Sequence, residues 1–166
     1  MRDAMRFLLS FEGRLSQRSW WIAFLIVLSI TIGGMFAAHP AYFIDDDVPA
    51  PNAALLAVQT AMLWPSFAIT KRRFNDRGWG DWLFWVIVAI FVPLHVVDIV
   101  CFGVNTFDVF MAPILERGLA EATVGQIAFC ASFVAMSIAG VFLIIDNGFG
   151  PGVPGPNAHG PDPRAS

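Results

Sequence analysis

Four long apolar stretches, Trp20–Ala38, Ala53–Thr70, Trp82–Cys101 and Val124–Ile145, leave this chain few ways to fold. Each approaches the ~20 residues that a helix rising ~1.5 Å per residue needs to cross a ~30 Å hydrocarbon layer. The chain has 166 residues, 57% of them hydrophobic and 14% charged, which is more apolar surface than one soluble core can bury. The surplus must face lipid. The pattern therefore predicts an all-α membrane protein: four transmembrane helices in a bundle, with short interfacial helices and an irregular C-terminal tail. Its divisions are an interfacial segment over 1–19, a membrane domain over 20–145 and a tail over 146–166.

The cations fall on one side of these stretches. Arg2, Arg6, Arg14 and Arg18 precede the first, and Lys71, Arg72, Arg73 and Arg77 lie between the second and third, which makes eight of the ten. The segment from His39 to Asn52 has no Lys or Arg and holds Asp45, Asp46 and Asp47, while the last connection has only Arg117 against Asp108, Glu116 and Glu121. The positive-inside rule then places both termini in the cytoplasm, and an even number of spans agrees with it. The basic-then-apolar start is read as a retained first anchor, because its apolar run exceeds the ~7–15 residues of a cleavable signal and further spans follow.

Local signals refine this outline. Ala4, Met5, Leu8 and Leu9 share one helical face near the N-terminus, Gly13 breaks that element, and Ser16 is placed to cap the first span. Trp20 and Trp21 sit where an interfacial aromatic belt is expected. Pro65 and Pro93 each remove a hydrogen bond inside a span. Ser29, Gly33 and Gly34 in the first span, and Ala131, Ala135 and Ala139 in the fourth, form small-residue surfaces suited to close helix contact. Phe107, Phe110, Met111, Ile114 and Leu115 follow an amphipathic helical spacing that Pro113 should bend or break. Beyond Asp146, Gly and Pro are too frequent for a helix or a core.

No catalytic, metal or cofactor-binding signature is present. Cys101 and Cys130 are far apart and lack a Cys-x-x-Cys spacing, and no phosphate loop, nucleophile elbow or zinc-protease motif occurs. The arginines near Trp79 and Trp82 lie against a bilayer, so nucleic acid is not an expected partner.

Three short segments stand out: Phe11-Glu12-Gly13-Arg14-Leu15-Ser16-Gln17-Arg18, then Lys71-Arg72-Arg73-Phe74-Asn75-Asp76-Arg77-Gly78-Trp79-Gly80-Asp81-Trp82, then Gly155-Pro156-Asn157-Ala158-His159-Gly160-Pro161-Asp162-Pro163. In order and spacing they resemble the bacterial inner-membrane family known as domain of unknown function 805. The chain departs from that pattern in placing Arg18 one position late, Asn75 where His is frequent, and His159 where an aromatic is usual. The resemblance implies four spans and residence in the bacterial inner membrane, and no catalytic residue, since the family's activity is unassigned.

Two constellations remain as candidate sites. Arg14, Arg18, Arg72, Arg73 and Arg77 with Asp76 can build a cytoplasmic-face site for an anionic lipid or a partner's acidic group, because guanidinium forks bind phosphate and carboxylate in a bidentate manner. The same residues can instead be spent on internal ion pairs among Arg14, Arg18, Glu12, Asp76 and Asp81, and this second reading is preferred. His95 and Asp98 form an intramembrane polar pair at i, i+3. Asp98 lies sixteen residues past Trp82, ~24 Å along a helix and near the outer headgroups, so the pair is expected to be interfacial. The leading expectation is a small non-enzymatic inner-membrane protein with no cofactor, contacting membrane lipids and a membrane-protein partner or second copy. The alternative is a small oligomeric transporter or channel using His95 and Asp98.

Overall fold

The computed structural model describes residues 2–40, 52–101 and 104–165, with side chains from Arg6 onward. The acidic run Asp45, Asp46 and Asp47 lies outside the described residues, as do the side chains of Arg2, Ala4 and Met5. Helix α1 (Arg2–Leu9) leads to four long helices: α2 (Gln17–Ala38), α3 (Ala53–Arg77), α4 (Asp81–Val100) and α6 (Val124–Phe149). Between the last two come a π-helical turn, Phe107–Met111, and a short helix α5 (Ala112–Arg117). All four long helices are long and apolar enough to cross a membrane, and no strand occurs among the described residues.

The helix starts are set by side-chain caps. Ser16 accepts from the Ser19 N–H at 3.2 Å, as its position before the first apolar run suggested. Asn52 accepts from the Leu55 N–H at 2.8 Å, and its amide donates to the Ala38 carbonyl at 3.0 Å, which ties the end of α2 to the start of α3. Thr123 and Gln126 form a capping box that opens α6. The helices pass through Pro65 and Pro93 without a break.

The largest departure from the sequence outline is at the end of the second span. Lys71–Arg77 does not form a loop; it is the last two turns of α3, and the chain leaves the helix only at Gly78, whose φ of +74° is left-handed. Polarity marks the end of the hydrocarbon layer and not the end of the helix, because Lys, Arg, Asn and Asp need only water or a partner to stay helical. Helix α6 likewise continues past Ile145 to Phe149.

Helix α3 touches each of the other three spans, and α2 packs along it most extensively. Two buried clusters result. Leu15, Trp20, Ala23, Val27 and Ile69 join the N-terminal turn to α2 and α3, and Phe74, Phe84, Ile87 and Ala139 join α3, α4 and α6. The amphipathic segment expected to bend or break at Pro113 stays helical through it: the π-helical turn Phe107–Met111 runs directly into α5, where Pro113 sits in the first turn and its missing N–H costs nothing, and Phe110 stacks on Phe129 of α6 at 4.8 Å. The remaining apolar surface of α2 and α6, including Ile22, Leu25, Ile32, Val134, Ile138 and Ile145, is exposed and faces the surroundings a bilayer would supply.

Candidate functional site

The chain's antiparallel course brings the start of α2, the end of α3, the start of α4 and the end of α6 to one pole, where α1 and the tail also lie. Two helix C-termini meet there, and each leaves carbonyls without intrahelical donors. Their satisfaction explains the site. In α3, Phe74 O accepts from the Trp79 N–H at 3.0 Å, Asn75 O from the Asn157 amide at 3.0 Å, and Asp76 O from the Val153 N–H at 2.8 Å. In α6, Asn147 O accepts from Arg73 Nε at 2.8 Å, and Gly148 O accepts from Trp21 Nε1 at 2.8 Å and Gln17 Nε2 at 2.7 Å. Thus the tail caps α3, while α2 and α3 cap α6.

Asp76 is the centre of this pole. Its side chain is 1% exposed and takes both buried guanidiniums: Arg14 Nε and Nη2 reach Oδ1 at 3.1 and 2.9 Å, and Arg73 Nη1 reaches Oδ2. One carboxylate cannot neutralise two cations, and backbone carbonyls supply the remaining acceptors. Arg14 also donates to Val153 O and Gly155 O, and Arg73 to Leu15 O and Gly150 O. Charge-assisted bonds of this kind are stronger than neutral ones, and here they bind the N-terminal turn, α3 and the tail into one unit. The tail approaches so closely that any Cβ on Gly152 would collide with the Asp76 carboxylate.

A second pair lies beside the first. Arg77 Nη2 reaches Asp146 Oδ1 at 2.7 Å, Trp79 Nε1 reaches Oδ2 at 3.1 Å, and Arg77 also donates to Pro151 O. Asn75 spans three segments, donating to Gly13 O at 3.0 Å, accepting from Lys71 Nζ at 3.0 Å, and holding Asn157 through its carbonyl. In the tail, the guanidinium of Arg164, its backbone N–H and that of Gly155 hold the Asp162 carboxyl well below the usual carboxylate range.

Of the sequence candidates, Arg14, Arg73, Asp76 and Arg77 come together in this network. Arg18 does not. It lies two residues, ~200° around the helix, from buried Trp20 and is therefore turned outward and exposed. Glu12 also stays outside, and Asp81 pairs with Lys71 instead. Arg72 points the other way from Arg73, donating to Phe7 O at 2.8 Å and Arg14 O at 3.5 Å, with a buried Nε that has no partner. Beside it an open cleft of about 450 Å³ is lined by Arg6, Phe7, Ser10, Glu12, Gly13 and Arg72. At the opposite end of the bundle, His95 and Asp98 are not bonded to each other: His95 Nε2 meets Thr60 Oγ1 at 2.8 Å, and Asp98 accepts from Thr106 Oγ1 at 3.0 Å. Reading the residues as candidate sites missed Asn75, Asp146, Asn157 and the tail carbonyls. Asn75 and Asn157 stood in the motif segments, but carbonyl acceptors leave no mark in a sequence.

The tail departs from expectation in a specific way. Beyond Phe149 its described residues hold no helix and little regular structure other than the Asn157–Gly160 bridge, as its composition predicted, yet it is tied down by polar contacts along its length. A core was not required, because backbone N–H and C=O groups of a Gly/Pro-rich segment can act as the caps that two helix ends lack.

Fold and site together define a polytopic helical membrane protein closed at one pole by a buried arginine–aspartate network and its own C-terminal tail. The chain belongs to the family described as "Protein of unknown function (DUF805)", which it matches over residues 8–161, nearly its whole length. The resemblance drawn from the three motif segments is thereby borne out. The chain is similar to the "Uncharacterized protein YiiR" of Escherichia coli strain K12 and of Escherichia coli O157:H7, with 37% identity over 91 residues in each. That match covers 51% of this chain and 53% of the relative, so it spans about half the length of the curated relatives. No solved structure matches the chain.

Proposed function

We propose that this is a non-enzymatic protein of the bacterial inner membrane, with both termini cytoplasmic, whose locked basic pole presents the arginines left over from the lock to lipid headgroups or to an acidic partner. The observation that carries this reading is the division of labour among the arginines. Arg14, Arg73 and Arg77 are consumed by Asp76, Asp146 and backbone carbonyls, whereas Arg6 and Arg18 have no ion pair among the described residues and Arg72 has no carboxylate. Free guanidiniums at the end of a membrane helix bundle are suited to phosphate. The eight-to-one excess of cations in the N-terminal segment and second connection over the two outer ones supports the orientation. The relatives in Escherichia coli support a bacterial setting, and the four long apolar helices support a membrane.

The transport reading finds no comparable support. His95 and Asp98 are engaged by different hydroxyls, and the residues from Leu83 to Leu94 offer no ionisable group to continue a path. The test is lipid retention. Protein purified from native membranes should carry phospholipid that is depleted in an Arg6→Gln, Arg18→Gln double variant of unchanged thermal stability. Equal retention in both proteins refutes the reading. Reporters fused after Ser166 and within 71–81 should read cytoplasmic, and those within 40–52 periplasmic; a periplasmic C-terminus overturns the orientation.

A further inference from the structure

The cleft between α1 and the Arg72 side of α3 carries charges of both signs that do not meet. Arg6 and Arg72 line it with Glu12 and Ser10, yet neither arginine forms an ion pair with Glu12 among the described residues. Two cations and one anion around about 450 Å³ of open space are separated by more than the 4 Å of a direct pair. A purely anionic ligand would meet the arginines but would also meet Glu12. A purely cationic one would face two guanidiniums. A ligand with a phosphate at one end and an amine at the other meets each charge with its opposite.

Arg72 is already oriented for such a role. Its Nη1 and Nη2 each give one N–H to Phe7 O and Arg14 O, which holds the guanidinium plane, and the second N–H of each is left for a phosphate oxygen, while Nε is enclosed by the protein. Ser10 Oγ accepts from the Glu12 N–H at 3.1 Å, so its own proton is free to donate. The depth of the cleft points to lipid. Helix α1 packs against α3, its Leu9 carbonyl accepts from Trp64 Nε1 at 3.0 Å, and Phe11 packs edge-on against Trp64 at 4.9 Å. Trp64 is nine residues, ~14 Å, before Arg73 along the span, so α1 reaches from the polar pole down to the apolar wall. Leu9 and Trp64 are both exposed there and offer an apolar track for acyl chains below the cleft.

We propose that the cleft formed by Arg6, Ser10, Glu12 and Arg72 binds a phosphate ester bearing a primary amine, and that its natural occupant is the phosphoethanolamine headgroup of an aminophospholipid. Arg6 and Arg72 take the phosphodiester, and Glu12 takes the ammonium. This rests on the reading that the basic pole faces headgroups, and deepens it by naming the lipid class.

The experiment uses the full chain in detergent micelles, with short-chain phosphatidylethanolamine, phosphatidylglycerol and phosphatidylcholine in turn, and with free phosphoethanolamine. Occupancy is read by native mass spectrometry. Phosphatidylethanolamine should be preferred by about fivefold over the other two, the ratio that a well-placed exposed charge pair supports. Glu12→Gln should bring the ratio over phosphatidylglycerol close to one without lowering the thermal transition. Arg6→Gln should weaken both lipids, and Arg117→Gln, at an exposed residue outside the site, should leave the ratio unchanged. Free phosphoethanolamine competing as well as the lipid would support the headgroup chemistry and overturn the lipid as occupant. Wild-type protein that holds all three lipids equally, or a Glu12→Gln variant that keeps the preference, overturns the proposal while leaving the broader headgroup reading intact. Absence of any arginine-dependent lipid overturns both.

Discussion

Asp76→Asn is the most informative single change, because it removes one charge and almost no volume. The carboxylate and its two guanidiniums are 1%, 1% and 0% exposed, and all three lie at the junction of the N-terminal turn, α3 and the tail. Asparagine retains one oxygen for the Arg14 fork. Its amide nitrogen must then face Arg73 Nη1, donor against donor, and two buried cations are left without a counter-charge. Removing one partner of a buried pair costs ~3–5 kcal/mol, a large share of the ~5–15 kcal/mol that holds most domains. At ~2–4 °C per kcal/mol for a chain of this size, the thermal transition should fall by roughly 6–20 °C. The assay is far-UV circular dichroism of the detergent-purified protein during heating, with proteinase K as a probe of the tail. Residues 151–165 should become cleavable at temperatures where the wild-type tail is protected, since Arg73 is pushed off Gly150 O and the Arg14 that binds Val153 O and Gly155 O loses its counter-charge. A transition lowered by less than ~2 °C, with the tail still protected, refutes the view that Asp76 organises this pole.

Other outcomes follow from the same geometry. Arg73→Ala should lower the thermal transition far more than Arg117→Ala, because Arg73 is fully buried on four acceptors and Arg117 is exposed with no ion pair among the described residues; equal effects would refute the structural role. Gly148→Ala should destabilise by ~1–3 kcal/mol, as its Cβ would stand 2.5 Å from Trp21 Cζ2, in a ring held by its own hydrogen bond to Gly148 O, and a stability unchanged within error in the same melt would show that α2 and α6 can separate freely. Asp98→Asn should leave proton flux in reconstituted vesicles unchanged, since Asp98 is bonded to Thr106 and not to His95; a flux abolished by this change but kept in Asp108→Asn would establish the transport alternative. The folded Asp162 carboxyl is depressed, so its contribution is complete above the ordinary value of ~4 and is lost as pH falls below that through the depressed one. Protease protection of the tail should accordingly hold from pH 8 to pH 5 and weaken only below about pH 4, and release between pH 7 and 5 would assign the tail's docking to another group.

What the sequence determined alone is what can be summed along a line. The length of an apolar run decides whether it can span a bilayer, and the side on which arginines cluster favours one orientation, and neither depends on which helix touches which. Local chemistry was equally legible at Ser16, whose hydroxyl needs only the N–H three residues ahead, but not at Pro113, which the first turn of α5 accommodates without a break. Pairing of Asp76 with Arg14 was among the internal ion pairs expected, but its pairing with Arg73 was not legible. Arg14, Arg18, Arg72, Arg73 and Arg77 offer the same fork within a few residues of the same pole, and only the rotation of α2 about Trp20 and of α3 about Phe74 sends Arg18 to solvent, Arg72 to the cleft and Arg73 inward. Nor could composition show that the tail would cap two helix ends. Its contribution is made by carbonyls and amides that every residue carries, so it became specific only when α3 and α6 presented unsatisfied groups at the spacing the tail could reach.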